Sequence, residues 1–164
     1  MDIKEFDKQF ASKMNKVQAF VQGEQIKDIL GVEAVNHFKA SFENEGFTDE
    51  EVKKWPDVKR RNPDSKWYGH SGQTGKFSQT RTLAKILSGE SGELKNSISY
   101  VKIETGVRVT DATPYAGVHQ FGEMAKVYGK KVFQMPARPF MGKSAVLKKK
   151  IEDKITAEIK KILK

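Results

Sequence analysis

The chain has 164 residues, enough for one domain with a real core; 37% are hydrophobic and 31% charged, and 30 Lys and Arg against 21 Asp and Glu give a net charge of +9. That balance fits a soluble, globular protein and raises the expectation of an acidic partner: nucleic acid, a membrane surface or an acidic protein. There is no cysteine, which excludes a disulfide framework and a thiolate metal site and fits a reducing compartment; no run of about 18 apolar residues occurs, so no membrane span is expected.

The opening MDIKEFDKQF lacks the apolar stretch of a signal peptide, and none is expected. Ile3, Phe6, Phe10, Met14 and Val17 recur at helical spacing and predict a first helix. Gly23 and Glu24 make a break. Ile26, Ile29, Leu30, Phe38 and Phe42 predict a second helix, stopped at Gly46. In FTDEEV, Thr48 and Glu51 read as a capping box that opens a short third helix, ended by Pro56.

From 54 to 80 the apolar periodicity stops, and Gly, Pro, Ser, Asn and Asp dominate. This reads as a long exposed loop. Its basic residues, Lys59, Arg60, Arg61 and Lys66, are interleaved with Trp55, Trp67, Tyr68 and Phe77. Such a basic loop either stacks on nucleic-acid bases, fills a partner groove, or is a flexible loop pinned to the body by its aromatics.

TLAKILSGESGEL is a short helical segment running into a turn. KNSISYVKIETGVRVT predicts a β-hairpin. Ile98 and Tyr100 alternate with polar residues, but Val101 and Ile103 take the opposite parity, which implies a bulge or a strand buried on both faces. In DATPYAGVHQFGE, Thr113 is an N-cap candidate with Pro114 at the first helical position, and a short helix from Tyr115 to Gln120 ends at Gly122. AKVYGKKVFQM predicts a second hairpin around Gly129 and Lys130, a mobile one, and PARPF is extended. Leu147, Ile151, Ile155, Ile159 and Ile162 mark a last helix whose other faces carry lysines, either solvated or laid against an acidic surface or DNA backbone.

Strands that cluster rather than alternate with helices predict an α+β fold. The expected architecture is an antiparallel sheet built from hairpins, packed against N-terminal and C-terminal helices. One domain spans 1–164, with 1–23 a helical extension and 54–80 the long loop.

Nothing in the chain points to an enzyme, a cofactor or a metal. His37, His70 and His119 have no metal-site spacing, and His119 reads as a turn or interface residue. SGESGE lacks the residue that a nucleophile elbow needs between Ser91 and Gly92. Phe77 stands where a phosphate loop needs Ser or Thr. No carboxylate pair stands out as an acid and base.

Three blocks do follow one another in a specific order. Ser91, Gly92, Leu94, Ser97 and Ile98 lead into a strand. Tyr115, Ala116, His119, Gln120, Phe121 and Gly122 form a turn. Pro136, Ala137, Arg138, Pro139, Phe140 and Gly142 precede the last helix. With Trp55 ahead of the basic loop, they resemble the Mu-like phage virion morphogenesis family of tail completion proteins, with Met141 where the family has Leu. The resemblance covers roughly residues 24 to 164 and leaves the first 23 unexplained.

The resemblance implies a structural role late in phage assembly, in tail completion or head–tail joining. Such proteins look like relatives of minor tail and tail-terminator proteins, which form rings, often hexameric. The implied partners are the tail tube, head–tail connector proteins and further copies of the chain, with non-specific contact to DNA in the channel. No cofactor and no membrane are implied. The implied place is the virion, at the neck or tail end, after assembly in the cytoplasm of a bacterial host.

On this reading Tyr115 and Phe121 anchor the short helix to the sheet, and His119 and Gln120 hydrogen-bond backbone at the base of the hairpin that follows. Pro136 and Pro139 hold Arg138 extended, and Phe140 seats the last helix. These residues either shape the monomer alone, or His119, Gln120, Phe121, Arg138 and Phe140 form a subunit or partner interface. In the second case Arg138 pairs with a carboxylate of a neighbouring subunit. The rival class is a sequence-independent nucleic-acid-binding accessory protein, supported by the net charge and the basic loop.

Overall fold

The computed structural model describes residues 2–70, 75–89, 91–127, 129 and 131–164. Two long helices open the chain, α1 (Ile3–Gln22) and α2 (Glu24–Asn44), with Gly23 alone between them. A Cβ on Gly23 would stand 2.7 Å from the carbonyl oxygen of Ala19, so the joint is built for glycine. Only Phe20 of α1 is buried, whereas α2 buries Ala34, Phe38 and Phe42 as its stripe requires.

The short helix expected after Thr48 is a hairpin instead. Glu45 ends α2 in the left-handed region, with φ 50°. The chain then pairs with itself as β1 (Gly46–Thr48) and β2 (Val52–Lys54). Tertiary demands override the capping-box pattern here. Phe47 and Trp55 both enter the core, and the carbonyl of Thr48 meets His37 Nε2 at 2.9 Å. Asp49, at the hairpin tip, serves another helix: its carboxylate accepts from Ala145 N at 2.9 Å and its carbonyl from Val146 N at 3.1 Å.

A 3-10 turn (Lys59–Arg61) and two short helices, α3 (Gln79–Leu83) and α4 (Glu93–Asn96), lead to the expected hairpin, β3 (Ile98–Ile103) and β4 (Gly106–Asp111). Its register runs unbroken from Ile98↔Asp111 to Ile103↔Gly106. There is no bulge, and Val101 is exposed rather than buried, so the parity change is a valine on the solvent face. The helix α5 (Ala116–Phe121) follows. Its N-cap position is Tyr115, not Thr113, whose hydroxyl donates to Asp111 Oδ1 at 2.7 Å. The last hairpin is β5 (Met124–Val127) with β6 (Lys131–Gln134); Lys130 of its expected turn lies outside the described residues. The chain closes with α6 (Ala145–Leu163), capped by Ser144 Oγ, which accepts from Leu147 N at 3.0 Å.

The class is α+β with antiparallel hairpins, as expected. Among the described residues the three hairpins remain separate two-stranded ladders. What unites them is the core. The ring of Phe42 packs edge-on against Trp55 at 5.6 Å and lies tilted against Phe140 at 5.3 Å, with Phe38, Phe47, Ile86, Leu94, Ile98 and Leu147 around them. The helix α6 runs back along α2. Its start lies against Asp49, just beyond the end of α2, and Lys150 and Lys154 pair with Glu33, which is 2% exposed. At the far end, Lys13 of α1 donates to the carbonyl of Leu163.

Candidate functional site

The second and third motif blocks meet through backbone and one side-chain amide. The helix α5 is a short one, stopped by Gly122 in the left-handed region with φ 70°. A Cβ there would lie 2.8 Å from Ala137 N and 2.9 Å from Met135 O, so glycine is required on two counts. This close approach lets the carbonyl of His119 accept from Arg138 N at 2.7 Å and that of Glu123 from Met135 N at 3.2 Å. Gln120 completes the join. Its Oε1 accepts from Phe140 N at 3.0 Å and Met141 N at 3.2 Å, while its Nε2 donates to Met141 O at 2.6 Å. Gln134 Nε2 donates to the carbonyl of Gly122. The hairpin β5–β6 therefore hangs from a closed base. Gln120 bonds backbone just beyond the hairpin through its side chain, whereas His119 joins through its own main-chain carbonyl and not through its ring.

The third block also locks onto the start of the basic loop. Arg138 Nε and Nη2 donate to the carbonyl of Pro56 at 3.1 and 3.0 Å, and Nη2 reaches that of Asp57 at 3.4 Å. In return Trp55 Nε1 donates to Pro139 O at 2.7 Å. The two segments grip each other in both directions. Arg138 is only 5% exposed, and burial draws its pKa below the usual arginine range. Its Nε and Nη2 are turned to its own chain, which favours the shaping of the monomer over the alternative pairing with a neighbour's carboxylate. Phe140 is wholly enclosed, seated beneath Ser41, whose hydroxyl donates to the Phe140 carbonyl at 3.2 Å.

Phe121 departs from expectation in the other direction. It does not anchor α5; it is 71% exposed. The anchor is Tyr115, whose hydroxyl donates to Glu93 Oε2 at 2.6 Å and whose pKa is pushed up to about 12 by that carboxylate. His119 is half-buried with its Nδ1 enclosed and without a hydrogen-bond partner. Burial first, and then the charge of Arg138, holds its pKa below the ordinary value of 6.5. Beside α5 lies an apolar cleft of about 530 Å³, walled by Phe38, Val109, Ala116, Phe121, Phe140 and Met141.

The basic loop divides into two kinds of cation. Arg60 and Arg61 turn inward. Arg60 donates to the carbonyls of Ala84 and Lys85 at 2.6 and 2.9 Å, and burial lowers its pKa. Arg61 pairs with both carboxylate oxygens of Glu45, whose bond and charge raise its pKa, and it donates to Ala84 O at 2.8 Å. Lys59, Lys66 and Trp67 face solvent instead, with the Lys66 ammonium 5.6 Å from the Trp67 ring. The carboxylates that organise this region, Glu45 and Asp49, carry no motif that would distinguish them from other acidic residues in the sequence. Among the described residues no cluster could hold a metal ion, and no helix is long and apolar enough to cross a membrane.

Residues 58–160, from just past the Trp55–Asp57 clasp through most of α6, match the phage virion morphogenesis family. No curated protein and no solved structure shows significant similarity to the chain.

Proposed function

The chain belongs to the phage virion morphogenesis family, and from that premise we propose that it acts in tail completion or head–tail joining, as a ring subunit at the head-proximal end of the tail. The observation that carries this reading is the clasp. Residues 55–57, 119–122 and 135–141 are bonded into one frame, from which the Phe121 side chain and the β5–β6 hairpin project. A ring subunit needs this division: a body that holds its shape, and projecting elements that engage neighbours. The tail tube and the head–tail connector proteins are the partners in this reading, and the neck or tail end of the virion is its place.

Electron microscopy of particles made without the protein tests it. Filled heads and tails that fail to join are expected. Joined, infectious particles would overturn the proposal.

Sequence-independent DNA contact is a second reading, favoured by the net charge of +9 and the exposed Lys59 and Lys66. It is compatible with a ring around a DNA channel, where phosphate contacts carry no sequence information.

A further inference from the structure

Among the described residues, none supports the first three turns of α1. Every residue from Asp2 to Ser12 is exposed, and contact with the body begins at Lys13, Val17 and Phe20. The apolar stripe nonetheless continues outward. Ile3, Phe6 and Phe10 are 77%, 55% and 56% exposed, and the two Phe rings stack at 6.1 Å. A helix this short is marginal in water by itself, and an apolar stripe left open on a surface marks a contact.

The other end of the molecule carries a hollow that matches it. Because α6 runs back along α2, Leu163 lies beside Lys13 at one end of the pair, while Ser144 lies beside Asp49 at the other. The arm leaves from the first end. Phe38, Phe140 and Met141, which wall the apolar cleft, lie toward the second. Along α2 the rise from Glu24 to Phe38 is about 21 Å, and the exposed arm does not lie back over that distance. Among the described residues, the arm does not reach the cleft of its own chain.

We propose that the arm of one copy, through Phe6 and Phe10, docks into the cleft beside α5 of the next. The cleft's volume of about 530 Å³ falls in the range that encloses aromatic groups of this size. The exposed parts of Ile3, Phe6, Phe10 and Met14 offer on the order of 400 Å², about half of one side of a standard interface. They supply the apolar centre, and the rim comes from the bodies. The arm from Asp2 to Lys13 balances Asp2, Glu5 and Asp7 against Lys4, Lys8 and Lys13, so the docking segment itself is neutral and the contact rests on its apolar stripe, not on charge attraction. Arm and cleft are different patches, so the contact is head-to-tail. Repeated, it closes into a ring or grows into a filament. Closure rests on the ring reading above; the contact itself does not.

The absence of cysteine makes the test direct. Copies carrying Phe10→Cys are mixed with copies carrying Phe121→Cys, oxidised mildly and resolved on a denaturing gel, beside light scattering of the wild type and of Phe6→Asp/Phe10→Asp. A disulfide between the two kinds of chain is expected. The double aspartate variant should need about thirtyfold more protein to assemble, with an unchanged unfolding midpoint. Cross-links confined to Phe10→Cys chains would replace the cleft with an arm–arm contact and overturn the proposal. Undiminished assembly of the aspartate variant would also overturn it, while leaving the ring reading standing. Filaments joined by the expected cross-link would keep the docking and sink the ring. No cross-link, with a wild type monomeric at every concentration, would remove the docking altogether.

Discussion

Arg138 binds the carbonyls of Pro56 and Asp57 from a position that is 5% exposed. Replacing it with methionine keeps the apolar stem but leaves those carbonyls unsatisfied. Arg138→Met should lower stability by about 3 kcal/mol in urea unfolding. A folded, equally stable variant that fails only in assembly would restore the interface role. His119 gives a second prediction at this scale. Its folded pKa lies below the ordinary 6.5, so the unfolded chain takes up the proton first. Its contribution is therefore complete above 6.5 and is lost as pH falls through the folded value. Unfolding free energy measured at pH 7 and pH 5 should fall less in His119→Gln than in the wild type; equal slopes would deny the shift. The sequence marked these residues without saying which way they face. Arginine donors suit a neighbour's carboxylate and an internal carbonyl equally well. Phe121 and Phe140 sit in similar motif contexts, yet one is exposed and the other enclosed, because six residues of α5 are too few to reveal a buried face by periodicity.

The packing of α2 against β3–β4 turns on Gly31. A Cβ there would stand 2.2 Å from Tyr100 Cδ2, on a ring whose hydroxyl donates to Asp28 at 3.0 Å. Alanine in an open helix position would gain about 1 kcal/mol over glycine. Here overpacking costs about 1–3 kcal/mol and dislodges the Tyr100–Asp28 bond, so the loss outweighs the gain. Gly31→Ala should therefore destabilise the wild type, yet turn neutral or stabilising in a Tyr100→Ala background. A double-mutant cycle by denaturant unfolding reads the sign in each. Long elements were legible because their stripes repeat: α1, α2 and α6 all follow the expected spacing. The hairpin at 46–54 was not. Strands of three residues give period-two alternation too little length to register, and Thr48 with Glu51 mimics a cap. The true capping carboxylate, Asp49, acts across 96 residues on α6, a relation no local window contains.

At the scale of the whole molecule, the excess of cations is distributed unevenly. Many pair internally, as Lys85 and Lys95 do with Glu43, and Arg60 and Arg61 are committed to the body. Binding to duplex DNA should accordingly be weak, with Kd on the order of 10⁻⁴ to 10⁻⁶ M at physiological salt and indifferent to sequence. Fluorescence anisotropy at two salt concentrations checks this. Lys59→Ala and Lys66→Ala should each reduce the salt slope by about one if they touch phosphate, whereas Arg61→Ala should reduce stability instead. A preference of more than about tenfold for one sequence would favour the regulatory alternative. The α+β class was readable from the order of helical and strand patterns. The separateness of the three ladders was not, because which strand edges meet is decided by the core around Phe42 and not by any strand's own sequence.

The closed base beneath the β5–β6 hairpin has a consequence for how such chains diversify. Bonds between His119 and Arg138, Gln120 and Phe140, and Glu123 and Met135 fix both ends of the intervening segment. What hangs from that buckle is mechanically a cartridge. Lengthening it costs only the slow logarithmic growth of loop closure, and its exposed Met124 and Val132 take no part in the core. Related chains can therefore exchange this hairpin for one of another length or charge and meet a different neighbour, while inheriting an unaltered body.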